Sequence, residues 1–174
     1  MAKNLQGPDF DGIAKGLLED IVTYASVTGL NHIKECFDKG GFTDEAFEAW
    51  PKRKDGDETR ALLVHTTNLR DSNVIQERSI SQIVFTNAAP YASIHNYGGS
   101  ITIRVTKKSR KFFWYMYKLT DKEKWKYMAM TKKDRIVITM PARPFMKESK
   151  ALTNNINSWV AGEITTRFNN ANRE

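Results

Sequence analysis

The sequence predicts an α+β protein: an antiparallel sheet packed by an N-terminal helix and a long C-terminal helix, with an aromatic, basic, hairpin-like insertion. Three patterns carry that expectation. Phe10, Ile13, Leu17, Leu18, Ile21, Val22 and Tyr24 recur at roughly helical spacing near the start. Ile101, Ile103 and Val105 alternate with Thr102, Arg104 and Thr106, the period of a half-buried strand. Phe145, Ser149, Leu152, Ile156, Trp159, Val160, Ile164 and Phe168 step by three and four, the spacing of one helix face.

A chain of 174 residues, 40% of them hydrophobic, is read as a single domain over 1–174 that buries a core without cross-links. Its one cysteine, Cys36, has no partner for an internal disulfide. Residues 1–8 hold no apolar patch; they are expected to be flexible and not to act as an export signal. No apolar run approaches the length of a bilayer span, so no membrane partner is expected. The first helix opens at Pro8-Asp9, where Asp9 and Asp11 suit the positive end of its dipole. Gly29 or Asn31 offers a break, so the spacing allows one helix or two, ending at Gly40-Gly41.

Phe42, Phe47 and Trp50 then precede a polar run, 51–58, read as a loop. Leu62-Leu63-Val64 and Leu69 predict a short helical piece, with Asn68 taking the left-handed conformation at its turn. Ile80, Gln82 and Val84, with Ile83 and Phe85 on the alternate face, predict a strand. A turn and a single helical turn follow, stopped by Gly98-Gly99. Strands at Ile101–Val105 and Arg135–Met140 flank the insertion at 107–134. There Phe112 to Tyr117 and Trp125 to Met130 sit among lysines. The segment reads as a β-hairpin turning at Thr120-Asp121-Lys122, or as a strand followed by a short helix, with the β-hairpin preferred. Pro144 suits the start of a terminal helix, 144–168, expected to pack on the sheet.

Charge is unevenly placed. Arg104 to Arg135 holds 12 lysines and arginines against three acids, Asp121, Glu123 and Asp134. That surplus of nine leaves the rest of a +7 chain at −2.

No catalytic set is legible. His32, His65 and His95 lack ligand spacing, so no metal and no cofactor is expected, and His95 is better read as a hydrogen-bonded structural residue. Gly98-Gly99 is followed by a strand and not by Gly-Lys-Ser or Gly-Lys-Thr, which excludes a phosphate loop. Ser93 and Ser100 lack the flanks of a nucleophile elbow. Asp44, Glu45, Glu48, Asp55, Asp57 and Glu58 invite a metal-dependent nuclease reading, but most lie in or beside the polar loop, where solvated charge is the default. Arg143 offers a rigid fork for a phosphate or a neighbour's carboxylate, with an intramolecular salt bridge to the terminal helix as the alternative. Tyr91 and Tyr97 are read first as packing residues.

Four segments occur in order: Phe42…Trp50-Pro51, Leu62 to Ser72, Pro90 to Gly99, and Pro141-Ala142-Arg143-Pro144-Phe145. Together they resemble the phage virion morphogenesis family of Mu-like phages, the tail completion proteins, over about residues 10 to 165. The chain departs from the family in having Thr67-Asn68 where a threonine-glycine pair is usual, and in a fuller insertion at 107–133. The resemblance implies a structural protein, not an enzyme. It implies a ring-forming adaptor that completes the head-proximal end of the tail and lets it join the DNA-filled head. Its partners would be other phage tail and head-neck proteins, first in the host bacterial cytoplasm and then in the virion at the head-tail junction. Trp50, Tyr91, His95, Tyr97, Arg143 and Phe145 are the expected interface, or the scaffold presenting it. The rival reading is nucleic-acid binding through 104–135, where Lys107, Lys108, Arg110 and Lys111 supply phosphate contacts and Trp114 and Trp125 supply stacking faces. Against it, a dense aromatic block with a lysine edge is the mark of a core or a subunit contact, and that reading is preferred.

Overall fold

The computed structural model describes residues 9–53 and 60–171, and these form an α+β fold with helices and three antiparallel two-stranded sheets. The expectations for residues 1–8 and for most of the 51–58 loop lie outside the described residues. The chain divides into two compact units. One runs to Ala92 and resumes at Arg143; the other is Ser93–Ala142.

In the first unit, α1 runs unbroken over Phe10–Lys39. Asp9 caps it by accepting a hydrogen bond from the Gly12 amide at 3.0 Å, and Gly40, left-handed at φ 67°, ends it. Gly29 does not break the helix because it has a packing task. A Cβ there would lie 2.5 Å from the Phe85 ring, so the glycine admits that ring against the helix. Next come β1 (Gly41–Thr43) and β2 (Phe47–Ala49), a hairpin, then α2 (Asn68–Asp71), β3 (Asn73–Arg78) and β4 (Ile83–Asn87). β3 has no counterpart in the sequence reading, and β4 begins at Ile83, later than Ile80. The positive φ angles near α2 fall at Leu63 and Thr67, whereas Asn68 is the first helical residue. Leu62 and Leu63 form a turn, and neither they nor Val64 belong to that helix.

The terminal helix also differs from expectation. After Pro144 the chain stays irregular, because Phe145 turns inward, and α6 begins only at Lys150 and runs to Ala171. Ser149 supplies the cap: its Oγ accepts from the Leu152 amide at 3.1 Å and donates to the Thr43 carbonyl at 2.8 Å. Asp44 accepts from the Lys150 amide through its carboxylate and from the Ala151 amide through its carbonyl. The tip of the β1–β2 hairpin thus anchors the last helix of the chain.

Beyond that anchor the helix packs along α1. Trp159 stacks on Tyr24 with ring centres 4.2 Å apart, Phe168 faces Phe10, the Tyr24 hydroxyl donates to Asn155 and Arg167 bridges Asp20 and Glu163. These pairings run antiparallel. The core of the unit gathers at the other end of α1 and comprises Ile33, Cys36, Phe37, Phe42, Trp50, Leu69, Ala89, Ala92 and Phe145.

The second unit contains most of α3 (Ala92–Tyr97), then β5 (Gly99–Arg104) paired in full register with β6 (Arg135–Met140). Between those strands the insertion is a helical hairpin and not a β-hairpin: α4 spans Lys107–Thr120 and α5 spans Glu123–Met130. The aromatic run has strand propensity, but its N-terminal boundary is decisive. Thr106 and Ser109 form a reciprocal capping box, which satisfies the first free amides of a helix. Asp121, left-handed at φ 51°, stops α4 at the turn the sequence located. Phe113, buried, lies near-parallel to Trp125, and Arg110 donates to the Ala129 carbonyl at 2.5 Å, tying the two helices together.

Candidate interaction surfaces

Trp50, Arg143 and Phe145 come together inside the first unit. The Trp50 indole donates to the Pro144 carbonyl at 2.8 Å. Arg143 donates twice to the Pro51 carbonyl, at 3.0 and 2.7 Å, and more weakly to that of Lys52. It makes neither the salt bridge to the terminal helix nor an open anion site. Burial pushes its pKa down, with Arg53 adding repulsion, and an arginine stays charged through such a shift. These three residues are scaffold: they clamp the segment after Trp50 to the segment before the last helix.

Tyr91 is exposed and its hydroxyl accepts from Asn68 Nδ2 at 2.7 Å, linking two of the motif segments. In α3, His95 is half-buried while Tyr97 is 74% exposed, so of the two tyrosines Tyr97 is the one free to meet a partner. Gly98 ends α3 at φ 72°.

In the insertion, Lys107, Lys108 and Lys111 are exposed, whereas Arg110 serves the α4–α5 contact. Trp125 is half-buried against Phe112 and Phe113, and Trp114 is partly exposed beside Tyr117. The helix also sorts aromatic residues that the sequence reading leaves unsorted. Phe112, Tyr115 and Leu119 fall one turn apart on a single exposed face, while Phe113 points inward. The capping pattern at Thr106 and Ser109 is the signal that reveals this face, since it fixes the period at 3.6.

Among the described residues no three His, Cys, Asp or Glu side chains converge as metal ligands, and no helix is long and apolar enough to cross a membrane. Asp44 and Glu45 are engaged at the start of the terminal helix; Asp55, Asp57 and Glu58 lie outside the described residues. Burial pushes the Cys36 thiol up to about 11, so it stays protonated at neutral pH.

Burial also lowers the His32 pKa, against the attraction of Glu35. The folded state therefore prefers neutral His32, and the unfolded state takes up a proton first as pH falls through about 6.5. The stability associated with neutral His32 is present above that pH and is lost below it. Urea unfolding at pH 7.5 and 5.5 should show a larger acid loss for the wild type than for His32→Gln; equal losses would remove this role.

Comparisons with protein-family models, curated proteins and solved structures found no match for this chain.

Proposed function

We propose that this protein is a structural morphogenesis factor of a tailed phage or prophage. It completes the tail and joins it to the head as a ring-forming adaptor at the head-proximal end. The reading rests on the four ordered segments that resemble the tail completion family. What supports it in the structure is the use the chain makes of them. Trp50-Pro51 and Arg143-Pro144-Phe145, more than ninety positions apart, are locked by the Trp50–Pro144 and Arg143–Pro51 hydrogen bonds around a common core. The Trp50 indole and the Arg143 guanidinium hold backbone carbonyls, as a rigid module requires. Exposed residues such as Phe47, Val74, Ile80 and Tyr97 leave apolar surface for neighbouring tail and head-neck proteins or further copies of the chain.

Electron microscopy of the induced lysate of a strain lacking the gene tests this directly. Filled heads beside separate or misfinished tails are expected. Normal infectious particles would overturn the reading.

A further inference from the structure

The second unit holds 12 lysines and arginines against three acids in Ser93–Ala142, and the strands set two of its arginines against each other. Arg104 and Arg135 are direct cross-strand partners in the β5–β6 ladder, so their side chains leave the ribbon on the same face, and both are exposed. Like charges placed directly opposite destabilise a strand pair. Among the described residues neither arginine makes an ion pair, nor does Lys133; Asp134, between them in sequence, bridges neither. No described residue relieves that repulsion.

The same place offers a ring. Tyr127, 69% exposed on α5, lines with Thr131, Lys133, Arg135 and Val137 an open groove of about 350 Å³. That volume lies at the lower end of ligand-binding clefts, about 300–1,000 Å³. An aromatic face beside two cations that no described residue pairs is the local composition of a surface on which bases stack while their phosphates are neutralised. A carboxylate-bearing peptide would satisfy the cations but would leave the flat, solvent-facing tyrosine ring unused.

We propose that this groove binds single-stranded nucleic acid. Tyr127 stacks on a base, and Arg104, Lys133 and Arg135 neutralise consecutive phosphates. The recognition is of charge and ring faces, without hydrogen bonds that read base identity, so it is tolerant of sequence. A duplex hides its base faces and fits the groove less well.

Fluorescence anisotropy of the whole chain with a labelled 20-nucleotide oligothymidine, in 50 to 200 mM salt, tests the proposal. Saturable binding that weakens with salt is expected. In the triple variant Arg104→Gln, Lys133→Gln, Arg135→Gln, the slope of log K against log salt should fall by about 2, at roughly 0.7 for each phosphate no longer neutralised. Tyr127→Ala should weaken binding about tenfold with the slope unchanged, in the range of a single base–aromatic stack. All four positions are exposed, and circular dichroism melts of each variant establish that it is folded. No saturable binding at 50 mM salt, an unchanged slope in the folded triple variant, or tighter binding of a 20-base-pair duplex or of poly-glutamate would each overturn the proposal.

Discussion

Replacing Phe145 with alanine should remove about 3–5 kcal/mol of folding stability, the cost of a large aromatic cavity in a packed core. Phe145 is 1% exposed, its ring centre lies 4.9 Å from that of Phe37, and Phe37 in turn meets Trp50 edge-on. Those rings form part of the core of the first unit. The chain just before Phe145 is held by the Trp50 indole on the Pro144 carbonyl and by Arg143 on Pro51, so the backbone has little freedom to collapse into the space. Urea unfolding followed by tryptophan fluorescence gives the change. A loss below about 1 kcal/mol would mean that the site relaxes freely, and would return Phe145 to the role of a partner contact. Phe145→Leu, which keeps most of the volume, should lose less than half as much.

The second large effect belongs to Gly98. At φ 72° an alanine carries about 1–2 kcal/mol of left-handed strain. Its Cβ would also lie 2.7 Å from the Ala142 amide nitrogen and 3.0 Å from the Met140 carbonyl oxygen, both backbone atoms at or just beyond the end of β6. Backbone at the end of a paired strand does not move aside as a side-chain tip does. Gly98→Ala should therefore destabilise the β5–β6 ribbon by roughly 2–4 kcal/mol in total. Gly40→Ala is the internal reference, because Gly40 has φ 67° but nothing within 4 Å of the place a methyl group would take; it should cost only the conformational part, about 1–2 kcal/mol. Hydrogen exchange at the β5 and β6 amides reads the first and at the end of α1 the second. Equal effects would show that the end of β6 yields.

How much of the candidate surface is legible in the sequence depends on how far each signal reaches. Arg143 illustrates the limit. Between two apolar neighbours it offers a fork for an anion, and nothing within a few positions reveals that Pro51, 92 positions away, has a carbonyl waiting for it. Trp50 is similar: its ring and its indole N–H are both spoken for by distant segments. The aromatic insertion misleads for a different reason. A run of Phe, Trp and Tyr favours strand on propensity, but propensity is weak beside a capping box that satisfies free amides at the first turn. Once the helical period is set, Phe113 goes inward and Phe112, Tyr115 and Leu119 go outward, a division that a strand reading cannot make.

The sequence by itself determined the two ends of α1, through Asp9 and Gly40, the β5 and β6 strands and the stop after α3, because capping and alternation act within one or two turns of chain. It also determined where the positive charge is concentrated. Tertiary structure alone decided that α1 continues through Gly29, since only the Phe85 ring gives that glycine its purpose. It decided that the last helix lies along α1, where Tyr24 meets Trp159. It also decided that Arg104 faces Arg135, since the register of two strands separated by a long helical insertion is fixed by long-range pairing and not by any local pattern.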